Sequence, residues 1–179
     1  MITFHLTTLE KNVTITPHIT LYQCLTKKTT FEEVVYIVAA LGITKIVPVI
    51  THKIHSNWWQ EKTIERLTSI AISGCEQAKN FVIPTITNPI KFSDKIPFDA
   101  HAKKILFEPT GQKLPLVLGQ NLDCKSWEIV IGPEGGLTDN EIDILTSQQF
   151  ISCSLTPTIL RSIDAVTVGL GCMRILLNN

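Results

Sequence analysis

The residues best placed to do chemistry are Gly132-Pro133-Glu134-Gly135-Gly136, which join a short apolar run to the start of a helix. Glycines at such a junction permit positive φ angles and let a ligand approach the backbone closely. The first turn of the following helix adds unpaired N–H groups. The turn lacks the Gly-Lys-Ser/Thr of a P-loop and the G-x-G-x-x-G of a dinucleotide-binding turn. Considered alone, it could also be an ordinary strand–helix connection.

Short apolar runs alternate with helical patterns along the chain, which predicts an α/β fold with a mainly parallel sheet and helices on both faces. Thr30 is the predicted start of the first helix, and Thr138 with Glu141 has the sequence of a capping box. The predicted strands lie at residues 2–4, 13–16, 19–25, 45–50, 81–86, 104–107, 128–131 and 150–155. The predicted helices lie at residues 30–41, 60–79, 138–149 and 163–177, and residues 88–100 are predicted to form a surface loop.

The composition is that of a folded, neutral protein. The chain has 179 residues, 44% of them hydrophobic and 18% charged, which argues against intrinsic disorder. Its 16 basic and 16 acidic side chains are unevenly distributed: residues 1–113 carry 13 basic and 9 acidic groups, whereas residues 114–179 carry 3 and 7. A polyanion is therefore expected to meet the first part of the chain.

Cysteine usage and hydropathy indicate a cytoplasmic protein with neither metal nor membrane. The five cysteines are scattered without a C-x-x-C pair, so neither a disulfide framework nor a zinc site is expected. Residues 1–13 lack the pattern of a signal peptide, and the longest apolar run, residues 34–43, is about half a membrane span. His52 and His55 could be a metal pair, but a solvent-exposed loop is favoured, because no nearby cysteine or carboxylate completes a ligand set.

A second motif, Leu155-Thr156-Pro157-Thr158-Ile159-Leu160-Arg161-Ser162-Ile163-Asp164-Ala165, follows the glycine turn by about twenty residues. Together the two segments resemble the SPOUT class of S-adenosylmethionine-dependent methyltransferases, and within it the bacterial enzymes that methylate N3 of a uridine in 16S ribosomal RNA. That family has Ile-Gly-Pro-Glu-Gly-Gly-Phe followed by Leu-Gly-x-Arg-Ile-Leu-Arg-x-Glu-Thr-Ala. The resemblance spans roughly residues 20–177.

The resemblance implies a trefoil knot at the C-terminal end of the α/β fold, S-adenosyl-L-methionine as cofactor, and a homodimer formed through the knot region. The adenine of that cofactor needs an apolar slot with backbone donors and acceptors. The cofactor-binding residues implied by the motifs are Phe107, Glu108, Ile131, Gly132, Glu134, Gly135, Gly136, Leu155, Thr156, Ile159, Leu160, Ser162 and Ala165. For Leu155, Ile159 and Leu160, plain core packing is the alternative.

Arg161 is the residue that the resemblance places at the catalytic step, where it would hold the target base or stabilise charge as the uridine N3 proton leaves. A surface salt bridge with Asp164 is the alternative. Small-subunit ribosomal RNA is the implied partner, with His52, Lys53, Gln77 and Lys79 as substrate-binding residues. Trp58 and Trp59 could stack on bases or cap the core or an oligomer contact.

The chain departs from the family pattern at residues 37–40, 51–54, 80 and 156–158, where several polar groups expected to face RNA are replaced. Two alternative functions follow: a relative that binds the cofactor or RNA without catalysis, and a SPOUT enzyme with another RNA substrate. The family ordinarily carries an RNA-binding β-barrel of about 70 residues before the catalytic domain, a typical small-domain size. Residues 1–20 are expected to be a remnant of its last strands, and residues 21–179 the methyltransferase domain.

Overall fold

The computed structural model describes residues 12–53, 58–93 and 96–177, together with residues 3, 5 and 8. This part of the chain folds into a seven-stranded sheet and five helices. The strands are β1 (His18–Cys24), β2 (Lys45–Ile50), β3 (Thr85–Ile86), β4 (Ile90–Lys91), β5 (Lys103–Lys113), β6 (Ser126–Ile131) and β7 (Ile151–Ser154). The helices are α1 (Lys28–Ala40), α2 (Thr63–Ala78), α3 (Leu114–Gly119), α4 (Asp139–Ser147) and α5 (Ser162–Leu177).

The sheet is parallel throughout the described strands. Its order is β3-β2-β1-β6-β5-β7, with β4 pairing on β2 beyond β3. Parallel neighbours need crossover connections, and most of the helices lie in such connections. The predicted α/β fold with a mainly parallel sheet is confirmed.

Apolar side chains cover both faces of the sheet. Successive strand residues point to opposite faces, so Ile129 joins the apolar cluster under α1, α2, α3 and α5, whereas Val130 joins the cluster under α4 and residues 96–98. Helices on both faces were predicted, and this prediction is confirmed. Within the described ranges, no helix combines the length and hydropathy needed to cross a membrane.

Several predicted bounds are right because their signals are local. β2 spans the predicted residues 45–50, and the predicted 128–131 strand lies within β6. The capping box is formed as expected: the Thr138 hydroxyl accepts from the Glu141 N–H, and the Glu141 carboxylate accepts from the Thr138 N–H. A capped start requires only residues three apart, so tertiary context does not alter it.

Other bounds are wrong. α1 begins at Lys28 rather than at Thr30. The strand predicted at residues 13–16 is not formed, and the first strand of the described chain is β1, which begins at His18. Of the predicted strand at residues 81–86, only Thr85 and Ile86 pair with β2. The predicted surface loop at residues 88–100 contains β4 and buries Ile96. α3 was not predicted. Such short elements acquire their form from tertiary pairing rather than from propensity.

Two predictions about the first residues stay open. The strand expected at residues 2–4 depends on Ile2 and Phe4, which lie outside the described residues. The domain division after residue 20 stays a prediction, and β1 spans it.

Arg174 connects the end of α5 to the end of α1. Its side chain is buried, and its guanidinium donates to the backbone oxygens of Pro17, Leu41 and Gly42. Burial lowers the pKa of Arg174 to about 10, so the side chain stays charged at neutral pH. A cation suits carbonyl groups at the C-terminus of a helix, such as that of Leu41.

Replacement of Arg174 by methionine should lower the free energy of unfolding by about 3 kcal/mol, because three backbone carbonyls lose a charged donor and little volume is lost. Urea unfolding followed by circular dichroism measures the change. The matched control is Arg66→Met, which removes an arginine from an exposed ion pair with Glu32 (2.6 Å) and should shift the unfolding midpoint little. Equal shifts in the two variants would contradict this role for Arg174.

Candidate functional site

A cavity of about 450 Å³ opens beyond the carboxyl end of β6 and beside residues 107–109 of β5. A smaller cavity of about 60 Å³ adjoins it toward β7 and shares five of its lining residues. Ligands of open parallel sheets bind beyond the carboxyl ends of the strands, because the loops there converge on one crevice. Three segments form the walls: the glycine turn after β6, an irregular part of β5, and residues 155–165.

The glycine turn leaves its side of the cavity open. Gly136 has a φ of +68°, a conformation that favours glycine, and its N–H donates to the Pro133 oxygen at 2.9 Å. Gly132 and Gly135 are different. A β-carbon added at Gly132 would come no closer than 3.5 Å to a described atom beyond its chain neighbours, and one at Gly135 no closer than 3.9 Å. Chain packing therefore does not demand glycine at these two positions, and the missing side chains leave space in the cavity.

A bulge in β5 forms the second wall. Both Phe107 and Gln112 pair with Cys153 of β7, so the register shifts over residues 108–111, in the middle of β5. Bulges re-aim side chains in this way at functional sites. The bulge carries Glu108 into the lining of both cavities, and burial raises the pKa of its carboxyl above the usual range.

The third wall joins β7 to α5. Ile159 is 84% exposed and lines the larger cavity, so core packing does not explain this residue, whereas Leu155 packs against the core. Ser162 begins α5, and its hydroxyl accepts a hydrogen bond of 3.0 Å from the fully buried Gln23 amide. Gln23 lies at the end of β1, so the central sheet holds this part of the wall in place.

Phe107 lies where both cavities meet, and its position depends on Gly169 of α5. A β-carbon at Gly169 would collide with Cε2 and Cζ of the Phe107 ring. The helix therefore approaches β5 closely only because residue 169 has no side chain. This contact fixes the ring that lines the two cavities.

The structure brings all the predicted cofactor-binding residues together. Each of them lines at least one of the two adjoining cavities: Phe107, Glu108, Ile131, Gly132, Glu134, Gly135, Gly136, Leu155, Thr156, Ile159, Leu160, Ser162 and Ala165. Their roles as ligand contacts stay a prediction.

Arg161 lines the larger cavity, and its side chain is 77% exposed. Its Nε donates to Asp164 Oδ2 at 2.8 Å, and a second nitrogen donates to Oδ1 at 3.2 Å. These hydrogen bonds raise the pKa of Arg161 and lower the pKa of Asp164, so both groups are charged at neutral pH. The salt bridge given as the alternative is thus formed, and it holds the cation beside the cavity.

The four predicted substrate-binding residues separate into two pairs. His52 and Lys53 follow β2 at the same edge of the sheet as the cavity, and the Lys53 ammonium donates to the Gly135 oxygen. Gln77 and Lys79 lie at the end of α2, which leads back to the amino end of β3. Both are exposed at the opposite edge of the sheet. Within a single chain they therefore do not lie at the cavity.

Trp58 and Trp59 both pack against the apolar core. Trp58 packs against Phe31, with ring centroids 5.5 Å apart, and its indole N–H donates to the Thr26 oxygen at 2.9 Å. Trp59 lies beside both rings, so the pair caps the core. His55 lies outside the described residues, and among those described no group of three or more His, Cys, Asp or Glu side chains could hold a metal ion.

Gln23 and Gly169 were not anticipated as contributors to the site. The sequence offered one signal, since a glycine inside a helical pattern often marks a close packing contact. Gln23 offered none, because the strand pattern does not reveal which polar group will meet the start of α5.

Residues 14–174 match a family described as RNA methyltransferase domain. Two relatives carry the name ribosomal RNA small subunit methyltransferase E. The one from Rickettsia conorii is 31% identical over 76% of this chain and 55% of its own length. The one from Aquifex aeolicus is 31% identical over 83% of this chain and 64% of its own length. The chain thus spans between about half and two thirds of these two relatives.

Two solved structures share the fold. One from Legionella pneumophila, in complex with bound S-adenosylmethionine, is 28% identical and superposes with a TM-score of 0.82 over 93% of this chain and 69% of its own. A ribosomal RNA small subunit methyltransferase E from Neisseria gonorrhoeae bound to S-adenosyl methionine is 26% identical, with a TM-score of 0.78 over 89% of this chain and 66% of its own. The family match covers most of the chain and coincides with the sheet and both cavities, and the chain belongs to the RNA methyltransferase domain family.

Proposed function

We propose that this protein transfers a methyl group from S-adenosyl-L-methionine to N3 of a uridine in 16S ribosomal RNA, in the cytoplasm. The observation that carries the proposal is the cavity of about 450 Å³ at the glycine turn, because two of its three walls are the segments that resemble the SPOUT motifs. The relatives named above support the choice of substrate and cofactor.

The residues present fit the cofactor. The cavity volume of about 450 Å³ lies within the range of about 300–1,000 Å³ that is typical of pockets for small ligands. Phe107, Ile131, Leu160 and Ala165 provide an apolar slot of the kind that adenine needs. The space beside Gly132 and Gly135 lets a ligand reach the backbone of the turn. When bound, S-adenosylmethionine supplies an electrophilic methyl group.

Positioning and charge are what the chain contributes to methyl transfer. The reaction is an in-line displacement, so the walls of the cavity must hold the two reactants in line. The Arg161 guanidinium, oriented by Asp164, is suited to stabilise the negative charge that develops on the uracil ring as its N3 proton leaves. Because N3 lies on the Watson–Crick edge, the target base must be unpaired or flipped out.

A trefoil knot and a homodimer are part of the proposal. β7 pairs with β5 at one edge of the sheet, and α5 then returns to α1, where Arg174 binds the Leu41 oxygen. That return path supports the knot. The dimer is supported by apolar side chains exposed on α5, namely Val168, Ile175 and Leu176, and on α3, namely Leu116. A second chain covering them would remove this surface from water.

A second candidate function is cofactor binding without catalysis. The observation in its favour is that both oxygens of Asp164 already accept from Arg161, which leaves fewer N–H donors of Arg161 to bind the target nucleobase.

Calorimetry with S-adenosylmethionine and S-adenosylhomocysteine, together with mass-spectrometric mapping of ribosomal RNA nucleosides from cells lacking the gene, separates the two candidate functions. We expect binding and a missing N3-methyluridine. Binding with no missing methyl group would favour the second candidate, and no binding at millimolar ligand would refute both.

Replacement of Gly169 by alanine should weaken S-adenosylhomocysteine binding by about tenfold, because the new methyl group displaces the Phe107 ring into the cavity. Calorimetry measures the affinity, and thermal unfolding verifies that the variant is folded. Gly171→Ala is the matched control on the same helix, since its β-carbon would meet no described atom within 4 Å beyond its chain neighbours and the nearby backbone of its own helix. Equal affinities in the two variants would show that the Phe107 position does not matter for binding.

Replacement of Arg161 by alanine should lower the methyl-transfer rate on 16S ribosomal RNA by about a hundredfold and leave S-adenosylhomocysteine affinity nearly unchanged, because the lost charge acts on the acceptor base. A tritium-transfer assay under single-turnover conditions measures the rate. Arg66→Ala is the matched control, since Arg66 also forms an exposed bidentate pair, with Glu32. An Arg161→Ala protein that methylates at the full rate would exclude Arg161 from this role.

A further inference from the structure

The segment after β2 is bonded to the glycine turn at two places. The Lys53 ammonium donates to the Gly135 oxygen at 3.0 Å and to the Leu137 oxygen at 3.1 Å. The neighbouring His52 N–H donates to Glu141 Oε1 at 2.9 Å. The other oxygen of that carboxylate accepts from the N–H and the hydroxyl of Thr138. These contacts span from the middle of the turn to the first residues of α4.

The turn has reason to need such support. Residues 134–136 are exposed, and Gly136 has a positive φ. Glycine loses more conformational entropy than other residues when the chain becomes ordered, so a turn with two adjacent glycines is costly to fix in one conformation. Within the turn, the only backbone hydrogen bond recorded among described residues joins the Gly136 N–H to Pro133. Two charge-assisted hydrogen bonds from one ammonium group are stronger than neutral bonds of the same geometry. Lys53 can therefore hold the Gly135 and Leu137 carbonyls in one arrangement.

The position of Lys53 differs from that of an RNA-binding lysine whose ammonium group is directed only to solvent. An ammonium group has three hydrogens, and two backbone oxygens of the turn accept from this one. Its aliphatic chain also lies against the turn, since Lys53 Cδ is the described atom nearest to a β-carbon built on Gly135. Both the ammonium group and the aliphatic chain of this exposed residue thus contact the glycine turn.

We propose that Lys53 is a positioning residue that orders the glycine turn for the cofactor through the Gly135 and Leu137 carbonyls, rather than a contact to RNA. The inference rests on the proposed function in one respect, namely that the cofactor binds at this turn. It changes the role that resemblance implies for Lys53 from substrate binding to cofactor binding.

The test compares Lys53→Met, which keeps the length of the side chain and removes the donor, with Lys53→Arg, which restores one. Lys91→Met, at an exposed lysine on β4 at the same edge of the sheet, is the control. Three quantities are measured on the full chain: affinity for S-adenosylhomocysteine by calorimetry, hydrogen exchange of the amides of residues 132–138 without ligand, and affinity for 16S ribosomal RNA transcribed in vitro. Thermal unfolding verifies that each variant is folded.

We expect Lys53→Met to lose about tenfold in S-adenosylhomocysteine affinity, to exchange faster at residues 132–138, and to keep its RNA affinity within about twofold. Lys53→Arg should restore most of the affinity, and Lys91→Met should match the unmodified protein in the first two measurements. A Lys53→Met protein with reduced RNA affinity and unchanged cofactor affinity would overturn the proposal. If the unmodified protein binds no S-adenosylhomocysteine, the proposed function fails, and unchanged exchange in Lys53→Met would separately refute the ordering of the turn.

Discussion

β6 pairs with β1 on one side and with β5 on the other, in parallel and in continuous register from its first residues to Ile131. Because all three strands run the same way, their carboxyl ends meet at one edge, and the glycine turn leaves the sheet where the β5 bulge also begins. The buried side chains of β6 enter both apolar clusters, so a change in this strand would disturb both faces. The two cavities and the Lys53 contacts depend on this central pairing.

Apolar residues and glycines make up most of the lining of the cavities, with few charged side chains. Room for a ligand comes from glycines at 132 and 135, and the shape of the slot comes from Phe107, which a glycine on α5 admits. The charged residues of the lining are Glu108, Glu134 and Arg161, and Arg161 is paired with Asp164. This division is suited to the methyl transfer proposed above, in which shape would hold the cofactor and charge would act on the acceptor.

Some basic side chains in both parts of the chain form hydrogen bonds within the fold, and the expectation that a polyanion meets the first part stays a prediction. Lys53 and Lys104 belong to the basic first part of the chain, yet Lys53 donates to the glycine turn and Lys104 is buried near the Gln148 oxygen. Arg174, in the acidic second part, is buried against backbone carbonyls. Only the cations that keep an exposed ammonium or guanidinium group can contribute to phosphate contacts, which dominate affinity for nucleic acids.

Local signals alone predicted the α/β order, the strand at residues 45–50, the Thr138–Glu141 capping box and the glycine turn, because each depends on residues within a few positions of one another. The motif resemblance also predicted thirteen cofactor-binding residues, and each of them lines at least one of the two adjoining cavities. Tertiary structure decided the rest: the bulge that carries Glu108, the fit of Phe107 on Gly169, the attachment of Lys53 to a turn 82 residues away, and the separation of Gln77 and Lys79 from the cavity. These features depend on which elements become neighbours, and sequence periodicity carries no information about contacts between residues so far apart in the chain.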